Sequence, residues 1–127
     1  MAKLVLALDQ GTTSSRSVLF GHDGVAVGIA QQEFPQILPT PGHVEHDCED
    51  IWNSQLATAR QVIQEVGVQP EDIVAIGIAN QRETTVLWDR TTGKPVANAI
   101  VWQSRISAGI CEAVQAAGKL DVIREKT

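Results

Sequence analysis

The sequence predicts an α/β fold, a mixed sheet with flanking helices. Three observations carry this reading. Residues 4–34 alternate apolar runs with glycine-containing turns, a long amphipathic stretch follows Asp47, and residues 73–79 form a near-continuous apolar run. Residues 4–8, LVLAL, read as a buried strand, and residues 17–20, SVLF, resume an apolar strand after a polar interval. His22, Asp23 and Gly24 supply a turn, and residues 25–34 form a third strand, so the first third of the chain is an antiparallel meander. The segment PQILPTPG at 35–42 then interrupts regular structure with three prolines.

A helix is expected next. Asp47 is its N-cap, with Glu49 and Asp50 in the first turn where negative charge suits the helix dipole. Ile51, Trp52, Leu56, Ala59, Val62, Ile63 and Val66 recur near helical spacing along one face, and Gly67 supplies the stop. Residues 73–79, IVAIGIA, suit a central strand buried on both faces. Residues 86–89 and 99–101 read as short strands joined through the turn at 92–95. Residues 106–117 and 120–127 read as helices. Trp52 and Trp88 take core positions on helix and strand.

A length of 127 residues bounds the chain to one modest domain. The net charge of -5, from 10 basic and 15 acidic residues, leaves no footprint for nucleic acid or an anionic membrane. The apolar run before Asp9 is too short for a secretory signal or a membrane span, so a cytoplasmic protein is expected. Cys48 and Cys111 are isolated, which predicts reduced, buried thiols.

Two places carry an inventory for chemistry. Between the first two strands lie Asp9, Gly11, Thr12, Thr13, Ser14, Ser15 and Arg16. A turn there gathers backbone N–H groups, four hydroxyls, a carboxylate and a guanidinium, a set suited to phosphate and a hydrated cation. Gly11 permits close approach of the backbone, and Asp9 at the strand end could hold magnesium, through its waters. Arg82 and Glu83 follow the apolar run at 73–79, at the carboxyl end of a strand, where open α/β sheets collect ligands. A donor beside an acceptor matches neighbouring polyol hydroxyls, although the same pair reads equally as a surface ion pair. Trp102 offers a flat apolar face, which by residue type alone favours core packing. His43, His46 and Cys48 fall within six residues but lack a fourth ligand, so no metal site is expected. TTGKP at 91–95 lacks the upstream glycine of a nucleotide loop and has Pro95 in the Ser/Thr place, which leaves a turn.

DQGTTSSR at 9–16 resembles the first phosphate hairpin shared by sugar kinases, hexokinase, actin and heat-shock chaperones. The blocks PGHVEHD at 41–47, IGIANQRETTVLWD at 76–89, TGKP at 92–95 and NAIVWQSR at 98–105 are most similar to the glycerol kinase branch of the FGGY carbohydrate kinases. The resemblance runs the length of the chain. It implies a ribonuclease-H-like half-domain of the actin/hexokinase-type ATPase class, incomplete at the carboxyl end, with residues 1–127 forming part of an amino-terminal FGGY domain. The order strand, strand, strand, helix, strand agrees. His43, Cys48 and Ile106 depart from the residues usual in the family, which bears on the 41–48 loop and the helix after QSR.

The resemblance also implies transfer of the γ-phosphoryl group from ATP, with Mg2+, to glycerol, giving sn-glycerol 3-phosphate. Gly11, Thr12, Thr13, Ser14 and Arg16 would bind phosphate, Asp9 would orient magnesium, and Arg82, Glu83 and Trp102 would bind glycerol. The general base, a second phosphate hairpin, a tyrosine contact and the adenosine site would lie beyond Thr127. No catalytic residue is therefore assigned, and the chain is expected to be inactive alone. Homo-oligomers are compatible with the complete enzyme. Two alternatives stand: a kinase of another sugar or polyol, disfavoured by NQRET where those relatives carry GQMHG-like residues, and a non-catalytic nucleotide-binding fragment.

Overall fold

The computed structural model describes residues 3–127. Strands β1 (Leu4–Gln10), β2 (Ser14–Phe20) and β3 (Ala26–Glu33) form the expected meander. Strand β4 (Glu45–His46) leads into helix α1 (Cys48–Val66), after which a short 3-10 turn at Pro70–Asp72 enters β5 (Ile73–Ala79). The main sheet has the order β3-β2-β1-β5, with β1 antiparallel to β2 and parallel to β5. Strand β6 (Ala99–Ile100) pairs with β4 in a separate two-stranded ladder. Helices α2 (Ala108–Ala116) and α3 (Leu120–Lys126) follow and bury no side chain.

Helix α1 begins and ends where local chemistry requires. The Asp47 carboxylate accepts a hydrogen bond from the Glu49 N–H at 2.8 Å, and Gly67 closes the helix at φ 73°, donating to the Gln64 and Ile63 carbonyls. The helix lies across β2 and β3 and only grazes β1. Its buried line is Ser54, Thr58 and Val62, spaced by four residues, against Ser15, Ser17 and Leu19 of β2, spaced by two. Four helical residues rise about 6 Å and two strand residues about 6.8 Å, so the two series stay nearly in step. The Ser15 and Ser54 hydroxyls meet at 2.7 Å and those of Ser17 and Thr58 at 2.9 Å. Towards the other end the contact turns apolar, in a cluster of Leu4, Leu6, Leu19, Ala30 and Val62. Gly28 of β3 lets the helix settle: a Cβ there would stand 2.3 Å from Val66 Cγ2.

Three expectations about burial fail. Strand β5 is an edge strand whose one partner is β1, and Val74, Ile76 and Ile78 are 58%, 61% and 75% exposed. Ile76 and Ile78 pair with Leu6 and Leu8, but α1 sits over β2 and β3 and leaves a hollow between Ile63 and Ile76. Trp52 and Trp88 are exposed, because the helix turns its Ser54–Thr58–Val62 line inward and residue 88 lies in a loop hairpin at the surface. Cys111 is exposed on α2, and Cys48 is half-buried at the start of α1 with its thiol pKa raised, mainly by burial. The strand expected at 99–101 is present as β6, which takes β4 as its ladder partner, whereas the one expected at 86–89 is reduced to the single bridge of Trp88 with Pro95, and a further bridge joins Thr85 to Ile100. Among the described residues no helix is long and apolar enough to cross a membrane.

Candidate functional site

The parallel strands β1 and β5 end on the same edge of the sheet, so the turn after each opens into one space. There a cleft of about 390 Å³ is lined by Gln10, Gly11 and Thr12 on one side and by Asn80 to Glu83 with Trp102 on the other. A larger hollow of about 460 Å³, between 47–49 and 94–98, has none of these groups.

The first wall is the β1–β2 hairpin. Its turn is narrower than the polar inventory implied, because Asp9 and Gln10 belong to β1 and Ser14 to Arg16 belong to β2. The Gly11 N–H donates to the Ser14 carbonyl at 3.0 Å, and a Cβ on residue 11 would meet that oxygen at 2.9 Å. Glycine is thus required by the hairpin's own closure. Thr13 is exposed at the tip, and Ser14 accepts from the Gln31 amide at 2.9 Å. Ser15 has left the turn, its hydroxyl donating to Gln10 Oε1 and meeting Ser54. Its burial follows from the strand alternation that turns Ser15 and Ser17 inward and Ser14 and Arg16 outward.

Asp9 and Arg16 face each other across the two strands, and the guanidinium donates to Asp9 Oδ2 through Nε, at 3.0 Å, and through Nη2. It is the one ion pair found among the described residues. Neither residue lines the cleft itself. Both side chains are partly exposed beside the hairpin. No three metal-ligating side chains cluster among the described residues. One carboxylate with an open second oxygen nonetheless fits magnesium, which retains waters and is usually held by one or two carboxylates together with substrate phosphates.

The second wall starts where β5 ends. Arg82 and Glu83 are exposed, and no ion pair forms between them. Glu83 has φ 57°, the one non-glycine residue described in the left-handed region. Such a backbone costs about 1–3 kcal/mol and persists only where surrounding structure holds it. Trp102 reaches the cleft from the loop after β6, anchored by buried Ala99 and Val101 and by the Val101 N–H donating to the Val44 carbonyl at 3.1 Å. It is 54% exposed, so its indole face is not spent on core packing. Its Nε1–H donates to Thr12 Oγ1 at 2.9 Å and joins the two walls across 90 residues of sequence.

Beneath both walls lies a polar group that motif reading had considered only as a metal candidate. His46 is fully buried, with Nε2 2.6 Å from Gln36 Oε1 and Nδ1 3.5 Å from Gln81 Nε2. Its pKa is lowered by burial, with the Gln81 contact opposing in smaller measure. Glutamines in a proline-rich loop and at a strand end gave no pattern to find.

The chain matches the model of the FGGY family of carbohydrate kinases, N-terminal domain, over residues 4–127. It is 61% identical over 127 residues to a glycerol kinase of Janthinobacterium sp. (strain Marseille), a match covering 100% of this chain and 26% of that protein. The crystal structure of Plasmodium falciparum glycerol kinase with ADP superposes with a TM-score of 0.81 at 29% identity, covering 91% of this chain and 23% of that one. A gluconate kinase from Lactobacillus acidophilus shares the fold, with a TM-score of 0.84 at 22% identity, over 93% of this chain and 23% of its own. The chain thus spans about a quarter of the length of these relatives. The family match over residues 4–127 and the superposition agree, and the chain belongs to the FGGY family of carbohydrate kinases.

Proposed function

We propose that this chain supplies the phosphate wall and part of the acceptor wall of a cytoplasmic, ATP-dependent glycerol kinase, which phosphorylates a terminal hydroxyl to give sn-glycerol 3-phosphate. The observation that carries the reading is the single cleft shared by the tip of the β1–β2 hairpin and by Arg82, Glu83 and Trp102. A kinase must bring donor phosphate and acceptor hydroxyl together, and most of the rate gain comes from that positioning. The relative at 61% identity, a glycerol kinase, supports glycerol as the acceptor.

MgATP, when bound, supplies the transferred phosphoryl group and neutralises charge on its oxygens. Gly11 and Thr12 face the cleft, with Thr13 and Ser14 beside it in the same hairpin. Because Thr12 Oγ1 accepts from the Trp102 indole, its own O–H is left to donate outward, towards an anion. Arg16 offsets phosphate charge, and Asp9, whose Oδ2 is engaged by Arg16, keeps Oδ1 to accept from a magnesium-bound water. On the other wall Arg82 donates to one acceptor hydroxyl and Glu83 accepts from its neighbour, while the Trp102 ring covers the carbon chain.

The test is a chimera in which this chain replaces the matching quarter of the Janthinobacterium enzyme. Glycerol-dependent ADP release, with glycerol preferred over xylulose and gluconate, is the expected result. A folded chimera that prefers xylulose or gluconate, or that binds nucleotide without transferring phosphate to any of the three, overturns the proposal.

A further inference from the structure

The relay beneath the cleft has one internally consistent arrangement of hydrogens. Gln36 Nε2 donates to the carbonyls of Thr12, at 3.2 Å, and Phe34, at 3.3 Å, which fixes the orientation of its amide. Gln36 Oε1 therefore faces the imidazole, and His46 Nε2 carries the hydrogen it donates there. Nδ1 is left as the acceptor and faces the Gln81 Nε2 amide, one residue before Arg82. The ring is further held edge-on by Phe34, with centroids 5.0 Å apart at 86°. It sits on β4, whose partner β6 delivers Trp102.

We propose that His46 is a positioning residue that ties the two walls of the cleft together. Through Gln36 it fixes the Thr12 carbonyl in the phosphate hairpin, and through Gln81 it fixes the segment bearing Arg82 and Glu83. The geometric part stands on the hydrogen-bond chain alone, and its catalytic consequence rests on the kinase reading above.

Nitrogen-resolved NMR of the 127-residue chain reads the tautomer directly. The expected spectrum for His46 has a protonated Nε2 and a bare Nδ1, and an Nδ1–H tautomer overturns the proposal. Amide hydrogen exchange reads the coupling. His46→Phe keeps a ring beside Phe34 but removes both nitrogens. Exchange is expected to rise at least about tenfold at Gly11 and Phe34 on the hairpin side and at Thr85 and Trp102 on the acceptor side, with Leu6 and Leu19 unchanged. Uniform acceleration through the sheet, or no change at either wall, overturns it. Should His46→Phe not fold, Gln36→Leu alters an exposed side chain and is expected to accelerate Gly11 and Phe34 alone; unchanged exchange there also refutes the relay. In the chimera, His46→Phe is expected to lower kcat about tenfold while the variant stays folded at the assay temperature, and unchanged kcat refutes the catalytic consequence. A chimera inactive even with His46 removes the kinase reading while the exchange data still decide the relay.

Discussion

Gly28 tests whether the helix–sheet seam is as tight as its geometry states. In Gly28→Ala the new methyl would lie 2.3 Å from Val66 Cγ2 and 3.1 Å from Val62 Cγ2. Carbon atoms pack at about 3.5–4.0 Å, so relief at Val66 requires a retreat of well over 1 Å. Neither valine can swing aside cheaply, because β-branched side chains in helices hold one rotamer. The end of α1 must move instead, and it carries the contact of Val62 with Leu4, Leu6 and Leu19. Overpacking of this kind costs about 1–3 kcal/mol. The same substitution at Gly77, where no atom lies within 4 Å, meets no clash and relieves the entropy cost of a strand glycine, about 0.5–1 kcal/mol. Chemical denaturation of both variants gives the comparison, and adding Val66→Ala to Gly28→Ala should recover part of the loss. Equal stability of the two single variants, or a Gly28→Ala protein as stable as its parent, would refute the reasoning.

In the active chimera, Arg82→Ala and Glu83→Ala should each lower kcat/KM for glycerol by about 10- to 100-fold, the value of one charge-assisted hydrogen bond, and steady-state kinetics at varied glycerol checks it. His46 makes stability depend on pH with a definite sign. Its folded pKa lies below the usual 6.5, so the unfolded chain binds the extra proton; the stabilisation is complete above about 6.5 and is lost as pH falls towards the folded value. Denaturant titrations from pH 8 to 5 should show a loss of up to about 1.4 kcal/mol per pH unit that His46→Phe abolishes. The 127-residue chain by itself should give no glycerol-dependent ADP release, since Arg82, Glu83 and Trp102 stand exposed to water at its cleft, and a coupled ADP assay with sustained turnover would contradict this.

What the sequence disclosed follows from what local chemistry encodes. The Asp47 cap, the Gly67 stop and the three-strand meander depend on residues close in sequence, and each was legible. The run at 73–79 announced a strand but not its neighbours, and among the described residues, about a quarter of the relatives' length, β1 is its one partner. Hydrophobic periodicity also misplaced Trp52, because the inward line of α1 begins with Ser54 and Thr58. Those two, spaced by four, and Ser15 and Ser17, spaced by two, were the overlooked signal of a polar seam. In the site, Arg82, Glu83 and Trp102 came from motif resemblance, and the structure gathers them beside Gly11 and Thr12. The links that join them, from Trp102 to Thr12 and from Gln36 through His46 to Gln81, span distant segments and have no local pattern.

The backbone of Glu83 bears on how this protein could be engineered. A library selected for thermal resistance would find position 83 among its easiest gains, since Gly or Asn tolerates φ 57° and recovers on the order of 1 kcal/mol. Each such clone would have discarded the carboxylate proposed to meet the acceptor, so hardiness would trade against that proposed contact at one codon. Stabilising campaigns on this domain should hold residue 83 fixed.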